Sequence, residues 1–409
     1  MSTQPRALSP ARTNLVLATL FLGTFVLGSA ELLVVGVLKL IAADLRVPVT
    51  VAGALVTANA LGLAIGGPVL TALTVKLNRR AVLAGALAGF ILATVAQVLT
   101  TSYPVFIAAR AAAGSLQGLF IAAAFTAGTS IVAPQRAGRA ISVVISGVAV
   151  SAALGVPAGT LAGQMLGWRG SFTAVAGLGV IALIATLALV PSVPATGGGV
   201  RGQARYAFAP RVLAVLFLNF LAFAASYAAL TYIVPFLQAV TGISGALVSV
   251  FLLAYGAATA AGSFGGGRFA DTNAARTLIM ATTGVAASLL ALYLAGAIAF
   301  LVVPVLLAWG TFAFGMAPSL QHRTVSLAGP GGQLASSLPA SAINLGIAFG
   351  SFIGGAAIGS FTVSAAVITG LIIAVTAIPV AWATSHLKPP ATQQTAVDEQ
   401  PVPEPAYAS

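Results

Sequence analysis

The chain of 409 residues has no cysteine, only six acidic residues and only two histidines. Without sulfur there is no disulfide framework, no thiolate nucleophile and no sulfur-ligated metal site. The histidines, His322 and His386, stand at the ends of apolar runs, and no two acids share one. The paired acids, histidine clusters or nucleophile–base sets that an intramembrane enzyme needs are therefore missing. No enzyme activity, cofactor or metal is expected. Charge is scarce as well, at 6% of residues against about 25% in a soluble domain. Such a chain cannot cover a globule with a wetted surface. What is abundant is apolar: 59% hydrophobic residues and a mean hydropathy of +1.06. The solvent for most of this protein is lipid.

Cutting the sequence at its polar and Gly/Pro-rich breaks leaves twelve apolar runs, near 15–38, 50–73, 82–100, 104–131, 140–166, 171–191, 212–238, 246–267, 277–296, 299–320, 334–360 and 363–385. Each is about 20 residues or longer, the length at which a helix crosses a hydrocarbon core ~30 Å thick. The expectation is an all-α polytopic membrane protein with twelve transmembrane helices. The first run ends near Gly28-Ser29-Ala30, a sequence that can pass for a signal-peptide cleavage site. Its apolar stretch is too long for one, and its parity fits all later runs, so it reads as a retained helix. Sorting the 18 basic residues by loop parity puts fourteen on the side of the termini and three on the other, with Arg110 inside the fourth run. That bias places both termini in the cytoplasm of a plasma or inner-membrane protein. The net charge of +12 is thus a topology signal, and nucleic acid is not an expected partner.

The longest polar interruption, Pro191 to Arg211, holds three glycines in a row and three arginines. It divides the chain into a six-helix half at 1–190, a cytoplasmic linker at 191–211, a second six-helix half at 212–386 and a disordered tail at 387–409. The halves echo each other at an offset of about 195 residues: Gly155 and Gly159 in run five return as Gly350 and Gly354 in run eleven. Two pseudo-symmetric six-helix bundles joined on the cytoplasmic side form a transporter plan, with the substrate site between the bundles near the midplane.

Four stretches carry a family resemblance over residues 15–386. They are Glu31 to Leu45; Arg110 with Gly114, Gln117 and Gly118; Gly155-Val156-Pro157-Ala158-Gly159; and Asn344 to Gly350. Together they resemble the major facilitator superfamily, and within it the drug–proton antiporter branch of arabinose-efflux and chloramphenicol-resistance permeases. The resemblance implies proton-coupled efflux of small amphiphilic molecules by alternating access. Efflux of sugars, nucleosides or other metabolites by the same mechanism is the alternative; solute–proton symport, a channel and a non-transporting scaffold rank below both. A monomer is expected, with a small-molecule substrate, protons and the bilayer as its partners. One departure stands out. Val75 occupies the place of the acid in the family's loop after run two, whereas Asp271 keeps it in the second-half copy. The cytoplasmic gate is therefore expected to rest on Lys76, Arg79, Arg80, Arg268, Asp271 and Arg276.

Glu31 is the sole acid inside any run, where even a lenient insertion scale charges ~2.5–3.5 kcal/mol for an ionised Asp at mid-span. It shares a helical face with Thr24 and Gly28 at i, i+4, i+7 spacing, so it should point into the bundle, as a proton-coupling carboxylate does. Arg110 lies six or seven residues from the same membrane boundary, roughly 10 Å deep at 1.5 Å per residue. It cannot act as a proton carrier but is a candidate partner for Glu31; its competitors are helix backbone and Gln97. Gly147, Ser151, Gly155, Gly159 and Gly163 form a strict four-residue ridge that lets another helix approach closely, and Pro157 invites a bend there. These positions, repeated at Gly350 and Gly354, are candidates for helix packing and gating. Gln117, Asn344, Asn59, Asn219, Tyr227 and Tyr232 are the candidate substrate contacts, the few polar groups an otherwise apolar pocket needs. Gln117 and Asn344 lead because they sit beside the glycine ridges on helices that the resemblance turns toward the central cavity.

Overall fold

The computed structural model describes residues 9–74, 76–133, 136–192, 204–331, 335–336 and 338–390. All secondary structure among them is helical, as a bilayer demands of a chain whose backbone groups find no water. Numbered along the chain, the spans are α1 (Pro10–Asp44), α2 (Val49–Leu73), α3 (Arg79–Leu99), α4 (Tyr103–Ser130), α5 (137–166), α6 (168–189), α7 (Pro210–Ala239), α8 (Ala246–Ala270), α9 (Thr272–Ala295), α10 (Ala299–Ala328), α11 (Leu338–Ser360) and α12 (Ser364–Ser385). Each of the twelve expected runs falls on a helix; among the described residues eleven helices are long and apolar enough to cross a membrane, and Arg139–Gly155 in the fifth run is shorter. Several helices outlast their apolar stretch, α1 by five or six residues at each end, because hydropathy marks only the hydrocarbon while the helix continues into the interface. The Val75 position, linker residues 193–203 and the tail beyond 390 lie outside the described residues, as does the side chain of Asp271.

Local chemistry sets the breaks. α5 widens into a π-helical turn at Ser151–Gly155. Pro157 follows directly, and its missing N–H is the one that would have bonded the carbonyl of residue 153. α2 does the same at Gly62–Gly66, ahead of Pro68. Between α5 and α6 the chain turns at Gly167 with φ +73°, a left-handed conformation that only glycine adopts without strain. Trp168 and Arg169, just past that turn, tie four helices together. Asp44 at the end of α1 accepts from Trp168 Nε1 at 3.0 Å and pairs with Arg169. Arg169 also donates Nε to the Val98 carbonyl at 2.9 Å and Nη2 to that of Thr100 at 3.1 Å, closing the end of α3. Phe106 of α4 and Phe172 of α6 pack edge-on against the indole.

Glycine contacts give the pseudo-symmetry a residue-level form. A Cβ on Gly155 or Gly159 would overlap Ser29 or Leu33 of α1; one on Gly350 or Gly354 would overlap Ala224 or Ala228 of α7. Adding 195 to Gly155 and Ser29 gives Gly350 and Ala224; adding it to Gly159 and Leu33 gives Gly354 and Ala228. A second helix pair repeats at 196: Gly114 abuts Asn59, and Gly310 abuts Tyr255. Each half thus builds the same two glycine-mediated crossings, α1–α5 and α2–α4 in one, α7–α11 and α8–α10 in the other.

Between the halves, four hydrogen bonds are made among the described residues. Lys39 Nζ donates to Gln238 Oε1 at 2.6 Å, Thr57 Oγ1 to the Ala348 carbonyl at 3.2 Å, Gln164 Nε2 to the Gly245 carbonyl at 3.0 Å, and Tyr232 Oη to the Thr50 carbonyl at 3.5 Å. All four lie from mid-span outward, on the side of the bundle away from the termini. Backbone contact at mid-span, where Gly256 of α8 meets Ala152 in the π turn of α5, completes the closure on that side.

Candidate functional site

The site is built on α1 and α4. Gly28 and Ser29 of α1 pack on Ser151 and Gly155 of α5, which fixes the rotation of α1 about its axis and turns Glu31 toward α4 and the interface between halves. Its carboxylate is half-buried, and Oε2 accepts a 2.6 Å hydrogen bond from Nε2 of Gln117, itself 2% exposed.

Arg110 lies at the depth the sequence suggested but makes a different bond. It is 1% exposed. It donates Nη1 to the Ala30 carbonyl at 3.1 Å, Nη2 to the Glu31 carbonyl at 3.3 Å and Nε to the Leu55 carbonyl at 3.4 Å. Of the partners left open for Arg110, helix backbone is the one bonded: the guanidinium stitches the main chains of α1 and α2, and the Glu31 carboxylate accepts from Gln117. Helix carbonyls have a second lone pair free after their helical bond, and in a medium without water they are the acceptors a fork of five N–H groups finds first. Among the described residues the ion pair found is Arg169–Asp44, at the far end of the bundle. Gln97 donates to the Ala93 carbonyl of its own helix. The sequence held the signal for Gln117, because 110 and 117 are i, i+7 on one face of α4.

Beside Glu31 the two halves enclose a cleft lined by Leu32 and Val35 of α1, Ala152 of α5, Tyr227 and Leu230 of α7, Leu252, Tyr255 and Thr259 of α8, and Phe314 of α10. Its volume of about 30 Å³ takes a water molecule or two. The cleft is therefore apolar, with the phenols of Tyr227 and Tyr255 and the hydroxyl of Thr259 in its lining, and in this closed state it is too small for a drug-sized molecule.

The other candidates scatter. Asn344 donates to the Ala340 carbonyl at 2.9 Å and leaves its oxygen without a partner. Asn219 is fully buried with neither amide atom partnered, and Asn59 packs its main chain on Gly114. Tyr232 stands apart from the cleft. It donates to the Ser351 carbonyl at 3.0 Å, and its hydroxyl fills a notch where a Cβ on Gly53 or Gly355, one from each half, would collide with it. Gly147, Gly155 and Gly159 face α1, and Gly350 and Gly354 face α7, all inside their own halves. Of the loop cations, Lys76, Arg268 and Arg276 are exposed and Arg79 is buried. Arg80 donates to the Leu187 carbonyl at the end of α6.

Residues 20–338 match the sequence profile of the Major Facilitator Superfamily. A chloramphenicol resistance protein of Streptomyces lividans is 31% identical over 341 residues, covering 82% of this chain and 87% of that protein. A probable sugar efflux transporter of Pasteurella multocida is 25% identical over 91% of this chain and 93% of its own length. Among solved structures, a bacterial homologue of the human lysosomal transporter Spinster, inward-facing and unoccupied, superposes with a TM-score of 0.80 at 14% identity, over 93% of this chain and 98% of that one.

Proposed function

Because the chain belongs to the major facilitator superfamily, we propose that it exports small amphiphilic molecules, chloramphenicol-like antibiotics among them, in exchange for protons. Glu31 is the coupling carboxylate in this reading. The observation that carries it is the Glu31–Gln117 hydrogen bond at 2.6 Å, at the edge of the cleft between halves. A carboxyl group held by a neutral amide gains or loses a proton without breaking an ion pair. The carboxamide serves both states, since it donates to a carboxylate and its oxygen accepts from a carboxylic acid. Arg110 contributes as a positioning residue, fixing the main chain on which Glu31 sits.

Alternating access needs two states whose balance a proton and a substrate can tip. The contacts that close the halves are neutral or singly charged hydrogen bonds at a rim, each of about 0.5–1.5 kcal/mol net, an amount that ligand binding can offset. With the basic loops on the cytoplasmic side, the sealed face is the external one. The resistance protein among the relatives favours export of an antibiotic; the sugar efflux relative favours the second reading, export of a hydroxyl-rich solute by the same machinery.

The test uses inverted membrane vesicles carrying an imposed proton gradient, with lumenal pH followed as candidate substrates are added. Chloramphenicol should release protons from wild-type vesicles and not from Glu31→Gln vesicles. Proton-coupled transport that survives Glu31→Gln unchanged would sink the mechanism. Release on adding a sugar but not chloramphenicol would select the second reading.

A further inference from the structure

Tyr255, in the lining of the cleft, and Trp309, packed against it, are two hydrogen-bond donors with no partner. Tyr255 on α8 is 7% exposed and its hydroxyl is unbonded; Trp309 on α10 is fully buried and its indole Nε1 is unbonded. The rings touch edge to face with centroids 5.1 Å apart. Tyr255 lines the cleft directly, next to Tyr227 and Phe314. Buried donors in native proteins are almost always satisfied, so two adjacent orphans beside a cavity need an explanation. Trp309 narrows it, because an indole N–H only donates.

The internal repeat shows that the scaffold does not require the aromatic pair. The α8–α10 crossing, where Gly310 meets Tyr255, corresponds to the α2–α4 crossing, where Gly114 meets Asn59. With the offset of 196, 255 − 196 = 59 and 309 − 196 = 113. The first half builds the same crossing with Asn59, whose buried Nδ2 is likewise without a partner, and with Ala113, a small apolar residue 2% exposed. Only in the second half do two aromatic donors occupy these places, and one of them, Tyr255, lines the cleft.

We propose that Tyr255 and Trp309 form a donor subsite that receives an acceptor oxygen, such as carbonyl, nitro, ether or hydroxyl, of a neutral amphiphilic substrate. The proposal rests on the exporter reading and names the substrate class for it. In a state in which the cleft has opened beyond its present volume of about 30 Å³, the apolar body of the substrate lies against Leu32, Val35 and Phe314, and its acceptor group enters the pair. The lining carries no charged side chain, so nothing in it pairs with an anion. A permanent cation without acceptor atoms gains nothing from these donors.

Purified full-length protein in lipid nanodiscs, wild type against Tyr255→Phe, tests this by titration with two probes: chloramphenicol, neutral and rich in acceptors, and tetraphenylphosphonium, a cation with none. Without ligand, Tyr255→Phe should unfold at the same or a higher temperature, since it deletes an unsatisfied buried hydroxyl and keeps the ring. It should bind chloramphenicol roughly two- to ten-fold more weakly, the weight of one neutral hydrogen bond, and tetraphenylphosphonium unchanged. Trp309→Phe should show the same selectivity. Equal chloramphenicol affinity in wild type and Tyr255→Phe would overturn the subsite and leave the exporter reading standing. A lower unfolding temperature with both probes weakened alike would also overturn it, marking the hydroxyl as structural. If wild type binds neither probe, the subsite as stated fails, and the vesicle assay on Glu31→Gln judges the exporter reading separately.

Discussion

Gln117 and Arg110 lie two turns apart on one face of α4, and the side chain of Gln117, not that of Arg110, reaches the carboxylate of Glu31. The arginine is spent on three main-chain carbonyls. One helix face thus supplies a fixed charge that holds backbone and a neutral amide that holds the acid. That division of labour separates what must stay rigid from what must change protonation state.

Gln117→Leu keeps much of the volume and removes the donor. The variant should fold, since its partner is half-buried and can turn to the cleft, yet the pH profile of drug-driven proton release should move relative to wild type. Gln117→Glu should move it further by placing a second acid beside the first. Superposable profiles for all three proteins would remove Gln117 from the coupling step.

For Arg110 the main expected effect is on stability. Hydrogen bonds from a charged donor contribute roughly 1.5–3 kcal/mol each in water-soluble proteins and less between helices in membranes. Arg110→Ala loses three, so a loss on the order of 3 kcal/mol is expected, read as a lowered unfolding temperature in detergent. Arg110→Lys should rescue little, because one ammonium cannot span carbonyls on α1 and α2 as the planar fork does. Full stability of Arg110→Lys would mean that charge alone matters.

The two glycine ridges differ in what their neighbours can yield. A Cβ on Gly155 meets the Ser29 side chain first, whereas one on Gly350 meets the Ala224 main chain. Gly350→Ala should therefore destabilise more than Gly155→Ala, and Ser29→Ala should relieve part of the cost of Gly155→Ala in a double-mutant cycle. No compensation in that cycle would refute the predicted contact.

A cysteine-free chain invites crosslinking without background. Thr57→Cys with Ala348→Cys places thiols where α2 and α11 already share a hydrogen bond of 3.2 Å. Oxidation should join the halves on the side away from the termini and stop transport, and a reductant should restore it. Transport that continues at the wild-type rate in the fully crosslinked protein would show that this contact does not open during the cycle.

Much of the site was legible in residue order. Glu31 stands out because it is an acid in an apolar run, and Arg110 because charge at that depth is rare. Gln117 led the candidate substrate contacts, and its i+7 spacing from Arg110 placed it on the right face, but nothing local marked it as the partner of the carboxylate. Tyr232 shows the opposite case. As a polar aromatic at the end of a span it reads as a substrate contact, yet it is lodged in a notch between Gly53 and Gly355, which lie some 300 residues apart in sequence.

The sequence by itself determined the membrane class, the twelve spans, the division into halves and the glycine periodicity, because a bilayer imposes length and hydropathy locally, span by span. Even the repeat offset of 195 was readable, since it is a property of order alone. Tertiary structure decided which donor takes the carboxylate, which aromatics line the cleft and which close the rim. Those outcomes depend on the rotation of each helix about its own axis and on the reach of long side chains. Both are set by the packing of glycine ridges against distant helices, and no local pattern encodes them.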